Sequence, residues 1–176
     1  PTSELMPLVL MVRANIPAFK EAVEATLARA AAGCTGSTST AAPTIVYRLH
    51  DQTKAPYRII EKSLTKGPNQ EYPDCSKVLD VFGCLIDCAD YNSMAAVVAA
   101  FASRHTAGEL QLSRIKDRWS QPSAGGWRDL MLNVVINDVV FEVQVVLHAM
   151  LVARTALDAH KAYNQFRSFV EIFDLL

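Results

Sequence analysis

The chain predicts a mixed sheet with helices on its faces, a single domain of the α+β or α/β class. Two patterns carry this: segments with a helical repeat of apolar residues alternate with β-branched runs in the order α-β-α-β-α-β-β-α-α, and Asn137-Asp138 separates two such runs as a hairpin turn would. Composition agrees. Of 176 residues, 51% are hydrophobic and 20% charged, a globular rather than a disordered balance. A chain of this length can bury about 70% of the surface exposed when unfolded.

The elements follow in order. From Pro17 to Ala32, Phe19, Val23, Leu27 and Ala30 or Ala31 share one face, with Lys20, Glu21, Glu24 and Arg29 elsewhere, which is an amphipathic helix ending at Gly33. The Ser-, Thr- and Gly-rich run from Gly33 to Pro43 has neither period and is a loop. Thr44 to His50 is β-branched and aromatic, a strand. Lys54 to Lys66 (KAPYRIIEKSLTK) is a helix with Pro56 in its first turn, an apolar face of Tyr57, Ile60 and Leu64, and a basic stripe of Lys54, Arg58, Lys62 and Lys66. A polar loop from Gly67 to Ser76 precedes a buried strand from Val78 to Ile86, in which Asp80 is the anomaly. Asn92 to Ser103 is an Ala- and Val-rich helix. The stretch from Arg114 through the turn Ser123-Ala124-Gly125-Gly126 is loop, Leu130 to Ile136 and Val139 to Val145 form the hairpin, and two helices meeting near Ala162 to Asn164 complete the chain.

Charge and cysteines narrow the function. Seventeen Lys and Arg against eighteen Asp and Glu argue against a protein that grips long nucleic acid through its overall field, although a local basic site remains open. No apolar run reaches the roughly 20 residues of a membrane span and no signal-like N-terminus is present, so a soluble, cytoplasmic protein is expected. The chain opens on Pro1 rather than Met, as a trimmed piece would, which leaves a lost targeting segment or neighbouring domain open. Cys34, Cys75, Cys84 and Cys88 lack CxxC spacing or nearby histidines and are expected to be plain thiols. His148 and His160 are assigned to no metal. There is no Walker A motif and no GxSxG.

Chemistry concentrates on few residues. An ionised carboxylate in an apolar strand needs a partner, so Asp80 and Glu142 stand out. Alternation puts Glu142, Gln144 and Val146 on one face of their strand and Phe141, Val143 and Val145 on the other. Two such carboxylates suit Mg²⁺, which takes oxygen ligands and completes its shell with water and phosphates. Pairing of each acid with a Lys or Arg, or a solvated face, explains them as well. Lys54, Arg58, Lys62, Arg114, Lys116 and Arg118 would neutralise a polyphosphate, and a solvated helix face accounts equally for the first three. Trp127, after Gly125-Gly126, is placed to stack on a nucleobase or to sit in the core.

Together these motifs resemble the synthetase domain of the RelA/SpoT family, the pyrophosphokinases that make ppGpp and pppGpp. The resemblance runs from about Lys54 to Tyr163. KAPYRIIEK is similar to the family's K-x-x-Y-x-I-x-x-K helix, and the segment with Asp80 to its first metal-binding strand. RIKDRW is similar to R-x-K-D-Y, and PSAGGWRDL falls at P-K-x-N-G-Y, with Trp127 in the place of the guanine-stacking Tyr. FEVQVV is similar to the E-x-Q-I-R strand, and DAHKAYNQFR more loosely to the helix that follows.

The resemblance implies a mixed, mostly antiparallel sheet and Mg²⁺-dependent transfer of pyrophosphate from ATP to GDP, GTP, another nucleotide or a tRNA end. It implies Asp80 and Glu142 as metal ligands and catalytic residues, with Glu142 the general base. Lys54, Arg58, Lys62, Arg114, Lys116, Trp127 and Gln144 would bind nucleotide. The chain departs from the pattern at Gln52, Leu85, Ser123, Met131 and Val146, where the family has Arg, Arg, Lys, His and Arg. These losses leave the donor open and keep two other readings in view: a non-catalytic module that retains the fold, and a related transferase with a different substrate. Oligomeric state is not legible.

Overall fold

A computed structural model describes residues 4–34, 45–64, 74–123 and 126–156. Chain order gives α1 (Leu5–Cys34), β1 (Ile45–Leu49), α2 (Pro56–Leu64), a 3₁₀ turn at Cys75–Lys77, β2 (Gly83–Cys88), α3 (Tyr91–Thr106), β3 (Gln111–Asp117), β4 (Leu130–Ile136), β5 (Val139–Leu147) and α4 (His148–Ala156). The strands form one sheet in the order β1-β2-β5-β4-β3. The central pair β2–β5 is parallel and the other three pairs are antiparallel, as an α+β fold with a mostly antiparallel sheet requires. Helix α1 takes in Gly33 and Cys34, and the rest of the expected loop to Pro43, most of that over Gly67 to Ser76, Ala124-Gly125, His160 and the second C-terminal helix lie outside the described residues. Among the described residues no helix is long and apolar enough to cross a membrane.

Alternation along the strands sends Cys84, Ile86, Leu132, Val134, Phe141, Val143 and Val145 into a core shared with α1 and α3. Phe19 of α1 stacks on Phe141 with ring centroids 4.5 Å apart and meets Phe82 edge-on at 6.3 Å. From α3, Val97 and Phe101 complete the layer. The hairpin forms where expected: Asn137 (φ 48°) and Asp138 (φ 64°) both take left-handed conformations, the signature of a type I′ turn. Cys75, Cys84 and Cys88 are buried free thiols, and burial is the main cause that pushes Cys84 and Cys88 up to about 12.

Four expectations change. Helix α1 begins at Leu5 and runs through Pro17, because Leu8, Val9 and Val12 continue the buried stripe of Phe19, Val23 and Ala30. Burial of that stripe outweighs the hydrogen bond Pro17 cannot make. On α2, Ile59 and Ser63 are buried, whereas Tyr57 and Leu64 are 70% and 50% exposed. Lys62 reaches an acid beneath this helix, and turning Ile60 inward would swing Lys62, about 200° away around the helix, into solvent.

Strand β2 starts at Gly83, not Val78. Val78, Val81 and Phe82 are buried in a bent segment whose Val81 carbonyl accepts from the Lys54 N–H at 2.7 Å. An apolar run reports burial, and a bend buries side chains as a strand does. Finally, Gln111 to Asp117 is an edge strand rather than loop. Of its residues only Leu112 is even half-buried, so no alternation marks it.

Candidate functional site

Register defines the sheet face turned away from the core. Residues paired across strands project to the same side. One row therefore runs Gly83, Glu142, Asn133, Arg114, and the next runs Arg48, Leu85, Gln144, Met131, Lys116. Val46, Asp87 and Val146 follow. Helix α4 packs against β5 and β2, and His148 Nδ1 at its start lies 2.9 Å from Asp87 Oδ2. Gly83 is what allows β2 and β5 to approach beside Glu142: a Cβ there would stand 2.2 Å from the Glu142 carbonyl oxygen.

Glu142 is 9% exposed. Gln144 Nε2 donates to its Oε1 at 2.5 Å, and its backbone N–H donates to the Phe82 carbonyl at 3.1 Å. Among the described residues no cation pairs with it. Glu142 and Gln144, expected on one face of the strand, are thus also hydrogen-bonded, and the second carboxylate oxygen is left to accept.

Asp80 lies in the bend before β2 rather than on a strand. Its Oδ2 accepts from Lys54 Nζ at 2.6 Å and also from Lys62 Nζ, so the bland expectation of a paired acid holds for this residue. All three side chains are about one-fifth to one-quarter exposed. Asp80 Oδ1 is buried with no partner. Burial works to raise the Asp80 pKa, but the charges and hydrogen bonds of Lys62 and Lys54 outweigh it and hold the group at about 2. Burial lowers the Lys54 pKa, a shift that Asp80 opposes and Lys62 reinforces.

His50, whose N–H extends the β1–β2 ladder to the Gly83 carbonyl at 3.0 Å, belongs to the same neighbourhood. Its pKa is lowered by desolvation, while Glu142 and Asp80 act to raise it. Backbone bonds bring these segments together: the Lys54 N–H donates to Val81, the Glu142 N–H to Phe82 and the His50 N–H to Gly83, so the residues before α2, the middle of β5 and the end of β1 all meet the bend.

A pH dependence follows from Asp80. A carboxyl whose folded pKa is below its ordinary value of 3.8 adds stability above that pH and loses it as pH falls toward about 2. Urea unfolding at stepped pH should show wild type losing stability faster than Asp80→Asn across this acidic window, with the gap widest at its neutral end. Parallel curves would mean the two lysines do not stabilise the ionised acid.

The remaining basic residues divide. Arg114 and Lys116 are exposed on β3, beside Asn133 and Met131. Arg58 pairs with Glu61. Arg118 is structural: its Nε and Nη2 grip the fully buried Asp129, the second bond at 2.5 Å, and its N–H donates to the Asp129 carbonyl at 3.0 Å. Trp127 is half-buried and lies outside the core; its Nε1 donates to Asp129 Oδ2 at 2.9 Å, and the Arg154 guanidinium lies 4.8 Å above the ring centre. Residues that sequence reasoning missed here are His50, Asp129, Asn133 and Arg154. For Asp129, the only signal was an acid two positions after an aromatic in a Gly-rich turn.

No group of three or more His, Cys, Asp or Glu side chains able to hold a metal exists among the described residues. Asp80 and Glu142 fit a hard cation in donor type, and the bare Asp80 Oδ1 supplies an acceptor without a donor.

No sequence profile of a known protein family matches the chain, and no curated protein matches it by sequence. Solved structures do. The fold is the one found in small alarmone synthetases. Small alarmone synthetase 1 of Bacillus subtilis, bound to its product pppGpp, superposes with a TM-score of 0.56 at 18% identity, covering 93% of this chain and 86% of that one. Small alarmone synthetase 2 of Bacillus subtilis gives 0.54 at 21%, covering 84% and 76%.

Proposed function

We propose that this chain is a Mg²⁺-dependent pyrophosphokinase that transfers pyrophosphate from ATP to a ribose hydroxyl of a guanine nucleotide. The observation that carries this reading is Glu142: a nearly buried carboxylate, hydrogen-bonded but not ion-paired, on the sheet face away from the core, in a fold shared with a synthetase that holds pppGpp. Such a group is suited to general-base work because no protein cation holds its proton-accepting oxygen.

In the proposed reaction Glu142 takes the hydroxyl proton, the oxygen attacks the β-phosphorus of ATP, and the bond from that phosphorus to the bridging α–β oxygen breaks, with AMP leaving on its electron pair. Lys54 and Lys62 spread positive charge over the phosphates, and Arg114 and Lys116 approach them from the sheet edge. Asp80 fixes the two lysines. Mg²⁺ held by Asp80 and Glu142 would supply further neutralisation of the phosphates. Trp127, oriented by Asp129, offers a ring for the acceptor base.

The second reading, a nucleotide-binding module without catalysis, is favoured by Asp80, which two lysines already neutralise. Incubation with labelled ATP, Mg²⁺ and a panel of GDP, GTP, other nucleotides and tRNA separates the two. A labelled pyrophosphorylated guanine nucleotide is the expected product. Transfer to tRNA or to another nucleotide instead would make this a transferase of different substrate, and binding of GTP with no product from any acceptor would leave the module.

A further inference from the structure

Asn133 lies between Glu142 and Arg114 in one row of the sheet. It is 1% exposed, and neither its Nδ2 nor its Oδ1 has a hydrogen-bond partner. It is also outside the apolar core that takes its neighbours Leu132 and Val134. An amide sealed with both polar atoms unsatisfied destabilises the free protein, and a side chain of the same size without polar atoms would serve the fold better. Such a cost at one register position from a carboxylate points to a ligand group that satisfies the amide when the site is loaded.

We propose that Asn133 is a specificity-determining residue: its amide N–H takes the oxygen of the acceptor's 3′-hydroxyl and aims the hydroxyl proton at Glu142. This inference rests on the pyrophosphokinase reading. The chemistry is matched. A hydroxyl accepts from an amide N–H and donates to a carboxylate at the same time, and side chains directly opposite on adjacent strands have Cβ atoms about 4.5–5.5 Å apart, close enough to grip one atom between them. Arg114, exposed on the edge strand, is the next side chain in the row beyond Asn133. A site built around a hydroxyl rejects the analogue lacking it, because the amide then stays unpaired.

The test compares wild type with Asn133→Leu and Asn133→Thr by thermal melting and by equilibrium binding of GTP and 3′-deoxy-GTP. Leu removes both unsatisfied atoms, so that variant is expected to melt at or above wild type, which a merely structural asparagine would not permit. Wild type is expected to prefer GTP about tenfold or more, Asn133→Leu to bind both nucleotides alike, and Asn133→Thr, which keeps a polar group on a strand-compatible side chain, to recover part of the preference. A Leu variant that melts well below wild type, or one that keeps the full preference, overturns the assignment while leaving the pyrophosphokinase reading intact. Equal binding of both nucleotides by wild type does the same. Wild type that binds neither overturns the parent reading, and this inference with it.

Discussion

Glu142→Gln is expected to reduce pyrophosphate transfer by about 10²- to 10⁴-fold, the range general-base catalysis supplies, while GTP binding and the melting temperature change little. The asymmetry comes from the surroundings of the acid. Glu142 pairs with no cation among the described residues, so neutralising it strands no buried charge, and the new amide can still meet Gln144. Asp80→Asn lacks this clarity, because it leaves Lys54 and Lys62 facing each other without their shared carboxylate. Initial-rate assays beside thermal melts decide the matter. Full activity in Glu142→Gln would remove Glu142 as the general base and leave the transfer reaction to another proton acceptor.

Asp129→Ala is expected to cost about 3–5 kcal/mol of stability, the range for breaking one side of a buried ion pair. Asp129 has no exposed surface, and three donor groups converge on its side chain: Nε and Nη2 of Arg118 and Nε1 of Trp127. Its removal leaves the mostly buried Arg118 cation uncompensated and frees the indole, with Arg154 above it, to turn. Urea unfolding measures the loss, and the fluorescence of the variant should report a more solvated tryptophan. A cost below about 1 kcal/mol would place this pair among ordinary surface bridges.

Much of the fold was legible because its elements carry their own periodicity. The hairpin at Asn137-Asp138, the presence of Pro56 in the first turn of α2 and the alternation through Phe141, Glu142 and Val143 follow from local chemistry. Edge strand β3 and the first two-fifths of α1 were not legible, for opposite reasons: Gln111 to Asp117 is too exposed to alternate, and residues 5–16 carry Pro7 and run into Pro17, which tertiary burial overrides. For the site, residue types found the acids and lysines but not their partners. That Lys54 and Lys62 converge on one oxygen of Asp80 depends on a bend, and that Asn133 flanks Glu142 depends on register, neither of which one strand's sequence contains. Register also gathers two positions where the chain differs from the pattern it resembles: Leu85 and Met131 flank Gln144 in a single row whose ends are Arg48 and Lys116, apolar on either side of the glutamine and cationic at its margins.

Those margins are strands β1 and β3, each hydrogen-bonded to one strand only among the described residues. An open flank of unpaired backbone invites a foreign strand to dock and seed aggregates, and long cationic side chains are a common deterrent. Arg48, Arg114 and Lys116 therefore guard solubility whatever they bind. Trading them for neutral residues would remove that repulsion together with any grip on anions, so a precipitating variant would tell nothing about substrate until its colloidal behaviour had been measured separately.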